Sequence, residues 1–207
     1  EIQNMKDGNW QTTVGRGLKG NTLGIFGLGK QGLQVANFAK AFDMRVIAWS
    51  HNLKEEDCKK ANVEYVSSSD LFKMSDILTI HTRLSERTQG YINKDKLKLM
   101  KKESVIVNTS RGPIIKEQDL IDALNQNTIS CAALDVFDQE PLPAEHILRK
   151  TKNTILTPHI GYVSVEAYEK FFNGYLKAIE AFLNGEAVNQ IIWTYDQLSA
   201  THSGVLS

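Results

Sequence analysis

Apolar residues along this chain come in short, dense runs, separated by longer stretches in which they recur every three or four positions. The dense runs are "TLGIF" at 22–26, "RVIAW" at 45–49, "DILTI" at 76–80, "SVIVN" at 104–108, "SCAALDV" at 130–136 and "TILT" at 154–157. Their length and β-branched content predict buried strands. The intervening stretches 31–42, 54–61, 69–74, 94–100 and 116–126 have helical spacing, and several are entered through Ser, Asp or Asn suited to cap a first turn. Strands alternating with helices predict an α/β fold with a mostly parallel, doubly wound sheet of Rossmann type. A longer amphipathic pattern over 164–184 puts Val165, Tyr168, Phe172, Tyr175, Ile179 and Phe182 on one stripe before a Gly185 stop. That stripe is expected to pack into the chain's own core. The segment 188–207 has little periodicity and is read as a terminal extension.

Composition narrows the function. The chain has 207 residues, 42% apolar and 23% charged, enough for a buried core. Its 24 basic and 24 acidic residues cancel without a basic run, which argues against nucleic-acid or anionic-membrane partners. Cys58 and Cys131 fall in no metal-binding spacing, so no metal is expected and reduced thiols in a cytoplasmic protein are. No apolar run is long enough to span a membrane. The first residue is Glu1 rather than Met, which suggests a segment of something longer.

The first strand runs directly into Gly27-Leu28-Gly29-Lys30-Gln31-Gly32 and then a helix. In that setting Gly27 permits a tight turn, Gly29 lets backbone approach a pyrophosphate and Gly32 lets helix and strand pack closely. The unpaired N–H groups from Lys30 and Gln31 onward then face the phosphates at the positive end of the helix. A bound dinucleotide is therefore expected. The second strand ends at Trp49, and where an acid would grip the ribose hydroxyls of NAD stand Ser50, His51 and Asn52, followed by Lys54. These tolerate a 2′-phosphate and point toward NADP, but no arginine adjoins them; the other reading is plain polar loop, with NAD accepted through other contacts.

Three later strand ends carry "NTSRGPI", "LDVFDQEPLP" and "LTPHIGY", and open α/β sheets bind ligands beyond such ends, so Arg111, Glu140 and His159 are expected to converge. Together with "GIFGLGKQG", the sequences "VNTSRGPII", "AALDVFDQEPLP" and "TPHIGY" resemble, in order, the nucleotide-binding domain of the D-isomer-specific 2-hydroxyacid dehydrogenases. The resemblance implies hydride transfer between the nicotinamide of NAD or NADP and C2 of a small 2-keto or 2-hydroxy acid. It gives Arg111 the substrate carboxylate, His159 the proton and Glu140 the second imidazole nitrogen, which favours the charged ring. It places Asp135 at the nicotinamide carboxamide, with loop capping as the alternative role, and Thr82, Thr88, Thr109 and Gly161 near the cofactor. Arg83 stands where the family commonly has proline, and is expected with His51 to offset a 2′-phosphate.

The same resemblance implies a crossing segment at 1–19, the dinucleotide-binding domain at 20–163, and a return crossing at 164–207 toward a substrate domain that is largely absent. It implies a homodimer paired through the nucleotide domain, and poor turnover by this chain alone. A noncatalytic dinucleotide-sensing module on the same fold is the alternative, disfavoured by the intact Arg111, Glu140 and His159.

Overall fold

A computed structural model of the chain describes residues 1–188. Contacts divide it into two compact units, Glu1–Gly161 and a second beginning at Tyr162. The first unit opens with α1 (Ile2–Lys6), which ends in a turn through Gly8 at φ +81. It continues through β1 (Thr22–Phe26), α2 (Lys30–Ala41), β2 (Arg45–Trp49), α3 (Glu55–Lys60), β3 (Glu64–Tyr65), α4 (Ser68–Met74) and β4 (Ile77–Ile80). Then follow α5 (Lys94–Leu97), β5 (Val105–Asn108), α6 (Glu117–Asn125), β6 (Cys131–Leu134) and β7 (Thr154–Leu156). All strands are parallel, in the order β3-β2-β1-β4-β5-β6-β7. The chain leaves β1 on one side for β2 and later returns to its other side with β4, so the order reverses at the end of β1, where such sheets open a crevice.

Side-chain alternation along β1 and β2 separates two cores. Phe26 and Ile47 join Leu71, Phe72, Leu78, Ile80, Leu97, Ile106 and Leu120 in one, beneath α4, α5 and α6. Leu23, Ile25, Val46 and Ala48 join Ala36, Ala39 and Cys58 in the other, beneath α2 and α3. Burial on both faces is what makes these strands read as continuous apolar runs. The expectation of full burial fails toward the far edge: Val105, Val107, Cys131 and Ala133 are half-buried and Ile155 is exposed. The run expected over 130–136 also pairs only as far as Leu134, which leaves Asp135 beyond the sheet. The edge strand β3 is two exposed residues, Glu64 and Tyr65, and carries no apolar signal.

In the second unit, α7 (Val165–Leu183) is capped by Ser164, whose hydroxyl accepts the Ala167 amide, and it ends before Gly185. Its apolar stripe does not form a core as expected. Val165, Phe172, Tyr175, Ile179 and Phe182 are all more than half exposed, and only Ala181 is buried. Periodicity identifies a face that favours cover, and among the described residues of this unit nothing covers it. The extension expected over 188–207 lies, beyond Val188, outside the described residues.

Candidate active site

Strand register aligns the ends of the sheet. Phe26 pairs with Trp49 and Ile80, Ile80 with Asn108, Asn108 with Leu134, and Leu134 with Leu156. The next residues, Gly27, Ser50, His81, Thr109, Asp135 and Thr157, therefore leave the sheet along a single edge. The candidates from the sequence lie on the loops that start there or, for Lys30, Gln31 and Gly32, in the first turn of α2, while α1, α5 and α6 contribute none.

At the glycine loop, Gly27 has φ +106, and a Cβ there would lie 2.7 Å from the Thr82 amide nitrogen. A Cβ on Gly32 would overlap the Gly27 carbonyl oxygen, whereas one on Gly29 would meet nothing within 4 Å. The first and third glycines are thus required by the protein's own packing, and the second leaves open space in front of the N-terminus of α2. That is the arrangement a pyrophosphate needs. A cleft of about 720 Å³ extends from Gly27, Leu28 and Gly29 past Ser50, Asn52 and Leu53 to His81, Thr82 and Arg83, with Asp57 and Lys60 of α3 on its wall.

His51 is exposed on the turn after β2. Its ring packs against Trp49 and Tyr91, with centroids 4.9 and 5.0 Å away, in a cluster completed by Phe26. Partial burial, then the positive charge of Arg87, lowers its pKa. Arg87, which sequence reasoning passed over, donates from Nη2 to Asn52 Oδ1 at 3.3 Å. The preceding loop is organised by Thr88, which is buried; its hydroxyl donates to the Arg83 carbonyl and accepts the Ser85 amide. Thr88 therefore shapes the loop that carries both arginines.

The Arg111 loop is fixed from below by Asn108, a buried polar residue at the end of β5. Its side-chain amide donates to the Arg111 carbonyl at 2.9 Å and its oxygen accepts the Ser110 amide at 3.1 Å. The Ser110 hydroxyl reaches across to the Thr82 carbonyl at 2.5 Å, tying this loop to the one after β4. Thr109 and Arg111 are exposed on its crest. The visible signal was an asparagine closing a run of buried apolar residues, where only a satisfied side chain is tolerated.

His159 Nδ1 lies 2.6 Å from Glu140 Oε2, and the other carboxylate oxygen of Glu140 accepts the Phe137 amide at 2.9 Å. Burial raises the Glu140 pKa, but the hydrogen bonds from His159 and Phe137 and the charges of His159 and Arg111 outweigh it and leave it lowered. His159 itself adopts φ +54, uncommon for a residue with a side chain. The turn that holds it is clamped by Asp135, whose Oδ1 accepts the Thr157 hydroxyl at 2.5 Å and the Ile160 amide at 2.9 Å, and whose Oδ2 accepts the Gly161 amide at 2.9 Å. Loop capping is thus the role the geometry gives Asp135, and the Gly161 amide is its partner. Burial raises the Asp135 pKa; Thr157, Ile160, Gly161 and the His159 charge more than reverse this.

These loops hold a guanidinium, a carboxylate-paired imidazole and a glycine cradle along one sheet edge, the equipment of a dinucleotide-dependent dehydrogenase domain. Residues 1–161 match the family model of the D-isomer specific 2-hydroxyacid dehydrogenase, NAD binding domain, and the chain belongs to that family. A glyoxylate reductase of Aeropyrum pernix is 40% identical over 179 residues, 86% of this chain and 53% of that protein. A glyoxylate reductase of Thermococcus litoralis is 41% identical over 173 residues, 84% of this chain and 52% of that protein. The solved structure of a phosphoglycerate oxidoreductase from Vibrio cholerae superposes with a TM-score of 0.83 at 32% identity, covering 89% of this chain and 60% of that one. The chain spans about half the length of these two reductases.

Proposed function

We propose that this chain is the dinucleotide-binding, proton-transferring half of an NAD(P)-dependent reductase of small 2-keto acids, working reversibly on the corresponding 2-hydroxy acids. The observation that carries the reading is the 2.6 Å pair of His159 and Glu140, set at the same sheet edge as the glycine loop. Open space at Gly29 and the fit of Gly27 and Gly32 suit the pyrophosphate, and a bound nicotinamide supplies or accepts hydride at its C4.

The side chains account for the rest of the chemistry. Arg111 offers a planar, permanently charged fork to the substrate carboxylate, which orients the adjoining C2 carbonyl. Glu140 holds Nδ1 of His159, fixing the tautomer and compensating the positive ring, so proton exchange with the substrate oxygen falls to Nε2. In reduction His159 gives that proton to the carbonyl oxygen; in oxidation it takes it from the hydroxyl. Asp135 acts through His159 by holding its turn, with the nicotinamide carboxamide a further partner. Glyoxylate and hydroxypyruvate are the first substrates to try, from the names of relatives. The cytoplasmic and homodimeric state belongs to this same reading.

The test is NADH fluorescence on binding, followed by NADH consumption with glyoxylate, hydroxypyruvate and pyruvate. Slow keto-acid-dependent consumption that is lost in His159→Gln, with NADH binding retained, is the expected result. Consumption unaffected by His159→Gln, or no dinucleotide binding, would overturn the reading.

A further inference from the structure

Resting on that reading of the dinucleotide site, the loop after β4 carries a feature that bears on which dinucleotide is taken. The Ser50–Asn52 turn stands where the ribose of the adenosine half lies in this fold, and it offers no carboxylate to share the two ribose hydroxyls. Asn52 lines the cleft, and its side-chain oxygen is held by Arg87 Nη2 at 3.3 Å, a contact between residues 35 apart in sequence. The exposed Arg87 guanidinium therefore stands at the rim beside the ribose position. His51 is turned into the aromatic cluster of Trp49 and Tyr91.

We infer that Arg87, held over the Ser50–Asn52 turn by Asn52, reads the adenosine 2′ position and makes this chain prefer NADP to NAD. A 2′-phosphate brings close to two negative charges and acceptors that a guanidinium meets with paired N–H donors. Asn52 holds Arg87 through a neutral oxygen, so the arginine's charge is not neutralised there, as a carboxylate would neutralise it. Arg83 and Lys60 on the cleft wall add to the positive field, and Asp57 opposes them. Arg83 was the natural candidate from its place in the sequence. The hydrogen bond to the ribose turn gives the specific contact to Arg87 and leaves Arg83 the general field.

Calorimetric titration with NADPH and NADH, at matched ionic strength, tests this on the wild-type chain, Arg87→Ala, Arg83→Ala and Asn52→Asp. Wild type should bind NADPH about tenfold or more tightly than NADH, and Arg87→Ala should lose roughly that factor for NADPH while NADH affinity stays within about twofold. Arg83→Ala should weaken NADPH less. Asn52→Asp should pair Arg87 with a carboxylate and move the preference toward NADH. Because Arg87 is exposed, an unchanged melting temperature will show that the variant is folded. Tighter NADH binding by wild type, an NADPH to NADH ratio untouched by Arg87→Ala, or a ratio governed by Arg83 alone would overturn the inference while leaving the dinucleotide site intact. Failure to bind either dinucleotide would overturn the reading of the site, and the inference with it.

Discussion

Glu140 and Asp135 are both carboxylates near His159, yet they do different work because of what their oxygens touch. Glu140 is about a third exposed and gives one oxygen to the imidazole, so its pairing is worth little to folding, and the proposed function makes proton transfer its work. Glu140→Gln should leave the unfolding midpoint almost unchanged and lower keto-acid reduction by on the order of 10²-fold, with the rate maximum displaced along the pH axis. A rate loss without change in the pH profile would show Glu140 to be a structural prop only. Asp135, by contrast, is buried and satisfies three donors. Asp135→Asn would turn an amide N–H₂ toward donors, and it should cost about 1–3 kcal/mol in urea unfolding. Its lowered pKa fixes the sign of the pH effect. The Asp135 contribution is complete above the unfolded value of about 3.9 and is lost as pH falls through the lower folded value, so wild type and variant should converge only in strong acid.

At the scale of elements, the glycine loop separates folding from binding. A methyl on Gly32 would run into the Gly27 carbonyl and would lie 3.2 Å from Ile25 Cγ2, so α2 would have to move away from β1. Gly32→Ala should destabilise the chain by about 1–3 kcal/mol and weaken dinucleotide binding as well. Gly29→Ala meets nothing in the protein, and should keep the melting temperature within a few degrees while losing dinucleotide affinity, as titration calorimetry would show. Equal effects of the two on stability would contradict the packing argument. The same elements show what the sequence reveals. Strands buried on both faces, such as β1 and β2, announce themselves as apolar runs, and a Gly-rich link from strand to helix marks the phosphate end. The edge strand β3 has no apolar run because its two residues are exposed, and Arg87 was passed over because its meaning comes from a contact with Asn52 across 35 residues. The period of α7 was legible, but a period does not say whether or by what its face is covered; Phe172 and Phe182 stay exposed.

Across the whole molecule, equal numbers of acids and bases leave stability against pH to the few groups whose environments differ between folded and unfolded chain. Glu117 and Asp138 are raised, chiefly by burial, so the folded chain takes up their protons first and gains stability as pH falls toward the ordinary carboxylate range. His81 acts in the opposite direction. It is half-buried just beyond β4, with Nε2 3.0 Å from the Thr79 hydroxyl, and burial lowers its pKa. Below its unfolded value of about 6.5 the unfolded chain binds the proton and the folded chain resists it, so stability drains away as pH falls from there toward the folded value. The two effects overlap between neutral pH and the carboxylate range, and a single melting curve cannot separate them. His81→Gln separates them, since it can keep a hydrogen bond to Thr79 and removes the titration. Urea unfolding at pH 7 and pH 5.5 should show wild type losing more stability than His81→Gln over that interval, or gaining less. Identical changes in the two proteins would mean that His81 accepts its proton in the folded state, and that acid lability in this range has its origin elsewhere in the chain.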